Sequence, residues 1–370
     1  MSTHNTMTLR NDIGQLLIVG VAGSELDGTE RAWLKLIAPA GVILFRRNVE
    51  SAAQTHALLS NVRSLAGEPL FRCVDVEGGL VDRLRDAVAP IPAPAMVAQT
   101  GDPKLFTQHG RLIGRELRLL GFNVTFAPVL DLSTAASAEV MRTRVVATTP
   151  QGVIAYARAF LKGLRRERVL GCGKHFPGLG GGTLDSHHAT PRIDRTWKPL
   201  WSEDMAPYRK LRGVLPFIMV SHAAYPQATK NAELLPASIS PFWIRRVLLS
   251  KIGYSGLIIS DDMEMGGILH HAPIEEAAIA AIAAGTHLIE ICKDPALILR
   301  AYEALLREAE SSPAFRRIVE GTAAKVRRSK RQLLGRDSLA KPPSLPEVQA
   351  VRESIERFSA HVAAATDDRL

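Results

Sequence analysis

Cysteine and aromatic residues are scarce in this chain. Its 370 residues include three cysteines, and aromatic side chains make up 5%. Cys73, Cys172 and Cys292 lie far apart within or beside apolar runs, which predicts buried apolar side chains rather than a disulfide framework or a zinc cluster. No basic segment is interleaved with aromatic residues, so nucleic acid is not an expected partner despite a net charge of +9.

Long apolar runs are also missing. No stretch approaches the roughly 20 residues that span a bilayer, and the N-terminus has no basic segment leading into a signal core. We therefore expect a cytoplasmic protein with no membrane partner. No Gly-x-Gly-x-x-Gly turn opens an early helix, which argues against a dinucleotide cofactor.

Short apolar runs that alternate with helical patterns are present instead. Their continuous apolar character favours strands buried on both faces, as in a parallel sheet. Eight such pairs predict an α/β fold, a single (β/α)8 barrel over residues 1–336, with a doubly wound open sheet as the alternative. Residues 337–370 are predicted to form a linker and a C-terminal helical tail. The predicted strands are Gln15–Val21, Gly41–Phe45, Leu70–Asp75, Val124–Val129, Val169–Phe176, Phe217–His222, Gly256–Asp262 and His287–Cys292.

Side chains that can take part in catalysis or ligand binding lie at or after the ends of five of these predicted strands. In a (β/α)8 barrel, functional groups gather at the carboxyl ends of the strands. The starts of the strands are plain by comparison, and this asymmetry predicts an enzyme. The residues concerned are Asp75, Glu77, Arg83, Asp131, Arg144, Lys174, His175, Asp185, His187, Ser221, His222, Ser260, Asp261 and Asp262.

The segment from Lys174 to His187 carries the most informative chemistry. A glycine-rich loop ends in Asp185-Ser186-His187, and an Asp that accepts a proton from one ring nitrogen makes its His a usable acid or base. With Asp261 as nucleophile, this set suits cleavage of a glycosidic bond with retention. Such a reaction requires no cofactor, and the histidines lack the spacing of metal ligands.

Five motifs, taken in this order, resemble glycoside hydrolase family 3, and within it the bacterial β-N-acetylhexosaminidases of peptidoglycan recycling. The resemblance covers roughly residues 10 to 335. It implies a TIM barrel that removes terminal β-linked N-acetylglucosamine with retention, through a covalent glycosyl-enzyme. The implied substrate is a muropeptide fragment, GlcNAc-anhydro-MurNAc, and we expect a monomer. The motifs are Asp75-x-Glu77-Gly78-Gly79-x-Val81-x-Arg83, Phe126-Ala127-Pro128-Val129-Leu130-Asp131, Lys174-His175-Phe176-Pro177-Gly178, Asp185-Ser186-His187 and Ser260-Asp261-Asp262-Met263.

The resemblance also implies roles for individual residues. Asp261 resembles the nucleophile, His187 the acid/base and Asp185 the partner of His187. The implied sugar-binding residues are Asp75, Arg83, Arg144, Lys174 and His175.

Some positions allow two interpretations. Asp262 is the alternative nucleophile to Asp261, although we interpret it as an anchor for its loop. Glu77 is interpreted equally as a sugar ligand or as a brace for the glycines that follow it. Asp131 is interpreted as structural. His222 is also interpreted as structural, with contact to the ligand as the alternative.

The chain departs from the family pattern near the predicted acid/base. Leu179 stands where the family commonly has His, and Gly181 and Gly182 add glycine to the same loop. Because glycine increases the entropy lost when a loop orders, we hypothesise a slower enzyme than its relatives. Two valines follow Arg144 where the family has Ser and an aromatic residue, so Arg142 is the alternative to Arg144.

Three other functions compete with hydrolysis of N-acetylglucosaminides. A phosphorylase is one, because a histidine acid/base carries no negative charge that would repel phosphate. A β-glucosidase of the same family is disfavoured. Those relatives usually take a Glu acid/base from another domain, and they do not carry the Asp185-x-His187 pair. A sugar-binding or degenerate barrel is disfavoured by the presence of Asp185, His187 and Asp261 together.

Overall fold

Eight parallel strands form a closed barrel in the computed structural model. The model describes residues 3–67, 69–135, 137–181, 190–229, 234–335, 339 and 341–367. Each strand pairs in parallel with the next in the chain, and the last returns to the first through the pairs Ile18 with Glu290 and Val19 with Ile291. The predicted barrel is therefore confirmed, and the open sheet is excluded. The strands are β1 (Leu17–Gly20), β2 (Gly41–Leu44), β3 (Phe71–Val74), β4 (Val124–Thr125), β5 (Leu170–Phe176), β6 (Phe217–Val220), β7 (Leu257–Asp262) and β8 (Leu288–Ile291).

Helices follow every strand and cover the barrel. Several begin with a capping side chain directly before proline, as at Asp102-Pro103 and Thr149-Pro150. The cap accepts a free backbone N–H and proline needs none, so these helix starts are encoded locally. The covering helices are Gly28–Ile37, Ala52–Ala66, Pro103–Leu120, Pro150–Arg166, Leu200–Asp204 with Ala206–Leu211, Phe242–Lys251, Ile274–Ala284 and Pro295–Ser311.

Shorter segments lie mainly in the loops at the carboxyl end of the barrel. A two-stranded antiparallel hairpin, Val76–Gly78 with Val81–Asp82, directly follows β3. Gly78 has a φ of 98°, and a Cβ there would meet the Pro92 carbonyl oxygen at 2.3 Å, so only glycine fits this turn. The short helices are Arg46–Asn48, Pro94–Gln99, Ala138–Met141, Arg142–Arg144, Trp197–Pro199, Pro226–Thr229, Ala237–Ile239 and Gly266–Leu269.

Three helices lie outside the repeat: Thr3–Gly14, Pro313–Leu334 and Leu345–Asp367. Pro313–Leu334 contributes Val326 and Leu334 to the apolar cluster inside the barrel, together with first residues of strands such as Phe71 and Leu288. It thereby closes the amino-terminal end of the barrel. All three cysteines are buried and free of disulfides, as predicted.

The last helix, Leu345–Asp367, packs against Pro94–Gln99 and Pro103–Leu120. Its buried residues Val351, Ile355, Phe358 and Val362 follow the spacing of one helical face. The Phe358 ring stacks on His109 with 5.9 Å between ring centroids. This helix is therefore packed into the main core, and the domain boundary near residue 336 stays a prediction. In the described part of the chain, no helix has both the length and the apolar character needed to cross a bilayer.

Candidate active site

A cavity of about 220 Å³ lies at the carboxyl end of the barrel. This volume is below the roughly 300–1,000 Å³ typical of pockets for drug-sized ligands, and it suits one sugar ring. Six residues that the sequence analysis assigns to catalysis or sugar binding line it together, namely Asp75, Arg83, Arg144, Lys174, His175 and Asp261. The rest of the lining consists of Phe45, Val81, Val140, Met141, Leu179, Pro191, Met219, Asp262, Met265 and Glu290.

Lys174, on β5, is joined to the segment that follows β3 through a buried ionic network. Its ammonium group lies 2.8 Å from a carboxylate oxygen of Asp75 and 2.8 Å from one of Glu77. Burial alone would lower the pKa of Lys174, but the two carboxylates hold it above its ordinary value. The ammonium is therefore charged at every physiological pH and is a fixed donor beside the cavity.

Glu77 lies behind the cavity and does not line it. Both of its oxygens accept hydrogen bonds from Arg144, from Nε and from Nη2, each at 2.8 Å. Burial would raise the pKa of Glu77, but Arg144 and Lys174 lower it well below its usual range. Of the two interpretations left open by the sequence, this geometry favours the brace, because the carboxylate is fully engaged by two cavity-lining cations.

Arg144 is the arginine that reaches the site. It lines the cavity and pairs with Glu77, whereas Arg142 is exposed and donates to the Glu139 carbonyl oxygen. The geometry therefore supports the register of the sequence prediction over its alternative.

His175 is oriented by Asp131. The two are joined by a 2.7 Å contact between His175 Nδ1 and Asp131 Oδ2, and the other Asp131 oxygen accepts the backbone N–H of Leu179. Asp131 is 1% exposed and does not line the cavity, so it holds the His175 ring and the start of the following loop. Leu179 therefore stands on the cavity wall, at the position where the sequence departs from the family pattern.

The neighbouring carboxyls Asp261 and Asp262 have opposite electrostatic surroundings. Burial would raise the pKa of Asp261, but His175, His222 and Lys174 lower it below its ordinary value. Burial raises the pKa of Asp262 to about 7, and one of its oxygens accepts the backbone N–H of Glu264. Asp261 is thus ionised and suited to nucleophilic attack, while Asp262 anchors its own loop.

His222 does not line the cavity. Its Nδ1 lies 2.7 Å from Ser238 Oγ and its Nε2 lies 2.9 Å from the carbonyl oxygen of Asp262. It is fully buried, and burial lowers its pKa. The geometry therefore gives His222 a place behind Asp262 rather than in contact with a ligand.

The predicted acid/base pair, Asp185 and His187, lies outside the described residues. Among the residues that are described, no cluster of His, Cys, Asp and Glu has the arrangement of a metal site. The described groups supply an ionised carboxylate, the three cations Arg83, Arg144 and Lys174, and hydrogen-bonding groups around a space for one ring. This arrangement suits attack on an anomeric carbon while the sugar hydroxyls are held.

Comparison with protein families agrees with this geometry. The model of the glycosyl hydrolase family 3 N-terminal domain matches residues 8–328. The chain belongs to glycosyl hydrolase family 3. This family 3 member is accordingly a glycoside hydrolase, as the sequence analysis predicts.

Relatives with known names resemble the chain over most of its length. A β-hexosaminidase of Bordetella avium is 37% identical over 310 residues, which cover 82% of this chain and 86% of the relative. Native NagZ from Neisseria gonorrhoeae has a TM-score of 0.74 at 28% identity, over 95% of this chain and 98% of that one. A fungal multi-domain family 3 β-N-acetylglucosaminidase has a TM-score of 0.87 at 27% identity, and the match covers 94% of this chain but 42% of that one.

In this family 3 enzyme, Glu290 is a charged cavity residue that the sequence analysis did not identify. It is a lone charge within the apolar strand β8, and such a residue in a buried strand is a signal for a functional side chain. The apolar wall, including Phe45, Met219 and Met265, was also missed, because single apolar residues give no functional signal in a sequence.

Proposed function

We propose that the enzyme is a retaining exo-β-N-acetylglucosaminidase that removes terminal β-linked N-acetylglucosamine from muropeptide fragments such as GlcNAc-anhydro-MurNAc. The observation that carries the proposal is an ionised Asp261 facing a one-ring cavity that Lys174, Arg144 and Asp75 also line. The names of the relatives, β-hexosaminidase and β-N-acetylglucosaminidase, support the same sugar. Recycling of cell-wall fragments in the cytoplasm is the role that goes with this substrate.

The proposed reaction has two displacements at the anomeric carbon. In the first, Asp261 forms a bond to that carbon while the bond to the leaving oxygen breaks, and His187, oriented by Asp185, protonates the leaving oxygen. In the second, water attacks the same carbon, His187 takes the proton from that water, and the bond to Asp261 breaks. The sugar is released with the β configuration that it had in the substrate.

The surroundings of Asp261 suit this sequence of events. Lys174 and His175 lower the pKa of Asp261 and stabilise its carboxylate before attack and after release. In this proposal Asp75, Lys174 and Arg83, which line the cavity, hold sugar hydroxyl groups and fix the ring for in-line attack. The neutral Asp262 beside the nucleophile adds no second negative charge at a pH below about 7.

The test compares wild type with Asp261→Asn on p-nitrophenyl N-acetyl-β-glucosaminide, in phosphate and in phosphate-free buffer. We expect equal activity in both buffers, release of the β-anomer of the free sugar by NMR, and a loss in kcat of about 10³-fold or more in the variant. Glu116→Gln, at a buried acid remote from the cavity, serves as the control for folding and is expected to retain activity.

Three outcomes would contradict the proposal. Sugar-1-phosphate formed only with phosphate would identify a phosphorylase. Release of the α-anomer would exclude the double displacement. Wild-type activity that Asp261→Asn leaves unchanged would exclude Asp261 as the nucleophile. A parallel assay on GlcNAc-anhydro-MurNAc and chitobiose tests the muropeptide, which we expect to have the higher kcat/KM.

A further inference from the structure

Glu290 lies on the floor of the cavity, inside the barrel. Its strand neighbours Ile289 and Ile291 belong to the apolar cluster outside the barrel, whereas Leu288 and Cys292 belong to the cluster inside. The alternation of a strand therefore turns the Glu290 side chain inward with Leu288 and Cys292. The residue is 2% exposed, and it lines the cavity together with Asp75 and Asp261.

The two carboxyl oxygens of Glu290 have unequal surroundings. Oε1 lies 2.9 Å from Cys292 Sγ, and a thiol is a weak donor. Oε2 is buried and has no hydrogen-bond partner within the described part of the chain. A buried polar atom without a hydrogen-bond partner lowers the stability of the fold. Because this atom belongs to a residue that lines the cavity, a ligand bound there is the expected hydrogen-bond partner.

The charges around Glu290 determine its protonation. Burial raises its pKa well above the ordinary range, and Asp75, Asp262 and Asp261 raise it further. Glu290 is therefore a neutral acid in the resting site and carries an O–H that it can donate. Asp75, which lines the same cavity and is engaged by Lys174, offers acceptor oxygens.

We propose that Glu290 is a specificity-determining residue of this enzyme, donating a hydrogen bond from its carboxyl group to a hydroxyl oxygen of the sugar held in the cavity. A sugar hydroxyl both donates and accepts, so one acceptor such as Asp75 and one donor such as Glu290 satisfy complementary needs of the ring. A site built this way rejects a sugar that lacks the hydroxyl, because the buried carboxyl would then stay unpaired. The inference rests on the proposed function for the identity of the sugar.

The test is a cycle between enzyme variants and substrate analogues. Wild type, Glu290→Gln and Glu290→Leu are assayed on p-nitrophenyl N-acetyl-β-glucosaminide and on its 3-deoxy, 4-deoxy and 6-deoxy analogues. We expect Glu290→Leu to lower kcat/KM on the parent by about 10- to 100-fold, the range for one lost hydrogen bond to a buried partner. On one deoxy analogue the same substitution is expected to have almost no effect, which measures the contact directly. Glu290→Gln retains an N–H donor and should keep most of the wild-type preference.

Glu116 provides the matched control. It is also a buried acid with no partner for either oxygen within the described ranges, but it lies on the helix Pro103–Leu120 and does not line the cavity. We expect Glu116→Leu to leave the ratio of parent to deoxy activities unchanged. Thermal unfolding of all variants shows which of them fold. If Glu290→Leu does not fold, the comparison of Glu290→Gln with wild type on the same substrates remains available.

Two results of the kinetic assays would overturn the inference. One is a loss on Glu290→Leu that is the same for the parent and for all three analogues, which would indicate a structural acid. The other is unchanged activity on every substrate. Calorimetric titration of N-acetylglucosamine and the corresponding deoxy sugars repeats the cycle without turnover. If no hydrolysis is detected but the Glu290 substitution and the deoxy position remain coupled in binding, only the proposed function is contradicted. If no sugar binds, both the proposed function and this inference are overturned.

Discussion

Glu77 and Glu116 are both buried in this enzyme, but they lie in two regions that shift the pKa of a carboxyl group in opposite directions. Glu77, at the carboxyl end of the barrel, accepts from Arg144 and Lys174, and its pKa is lowered. Glu116, in the helix layer, has no partner for either oxygen among the described residues, and burial raises its pKa well above its usual value. Two cations thus keep Glu77 ionised, whereas burial without an opposing charge keeps Glu116 neutral.

The histidines show the same contrast. His175, on the cavity wall, is in contact with the carboxylate of Asp131. His109, in the helix layer, faces the Tyr156 hydroxyl and the Phe358 ring, and burial lowers its pKa to about 3. A carboxyl partner thus orients the histidine on the cavity wall, whereas a hydroxyl and aromatic rings surround the histidine in the helix layer.

The same substitution in the two regions gives the largest expected difference. Glu77→Gln removes a charged partner from the buried Lys174 and from the partly buried Arg144, so we expect a loss of about 3–5 kcal/mol in the free energy of unfolding and a lower kcat/KM. Glu116→Gln replaces one neutral group by another. The folded pKa of Glu116 is raised, so its contribution to stability is full below the unfolded pKa and declines as the pH rises. Urea unfolding near pH 8 should therefore show Glu116→Gln as at least as stable as wild type, and an equal loss in both variants would refute the comparison.

Phe358→Ala tests whether the last helix supports stability rather than activity. Removing a ring that is 1% exposed should cost about 3–5 kcal/mol, with kcat unchanged. The control is Arg357→Ala, whose side chain is 71% exposed on the same helix and which should change stability by less than about 0.5 kcal/mol. Equal unfolding free energies for these two variants would show that the helix contributes nothing.

Asp262→Asn is expected to flatten the dependence of stability on pH. The pKa of Asp262 is raised to about 7 by burial, so its contribution is full below the unfolded value of about 3.9 and is lost as the pH rises through 7. Asparagine does not titrate, while Asp204 and Glu290, whose pKa values are also raised, are common to both proteins. Urea unfolding of both proteins between about pH 4.5 and about pH 8 measures the difference, and parallel profiles would contradict the assignment.

Leu179→His has the smallest expected effect. Leu179 lines the cavity with an apolar side chain where the family commonly has His, so the variant should raise kcat severalfold. Steady-state kinetics on the p-nitrophenyl substrate, with Leu179→Ala as the control for side-chain size, measures the effect. An unchanged or lower kcat would remove the hypothesis that this position slows the enzyme.

The local pattern of the chain determines much of this fold. Continuous apolar runs predict all eight barrel strands, because strands buried on both faces need no polar alternation. The ends of the helix Pro103–Leu120 are also encoded locally, by the Asp102 cap at its start and by Gly121 at its end. The fourth strand is predicted to reach Val129 but ends at Thr125, although isolated backbone hydrogen bonds to β5 continue at Ala127 and Leu130.

The carboxyl-end position of Asp75, Arg83, Arg144, Lys174, His175 and Asp261 follows from the sequence once a barrel is assumed, because parallel strands bring those ends together. Only the tertiary structure decides which groups oppose one another. It pairs Glu77 with Arg144 and Lys174, turns Asp131 toward His175, and places Glu290 on the cavity floor. Charge state and contact depend on distances between residues that are far apart in the chain, and these distances are fixed only when the barrel closes.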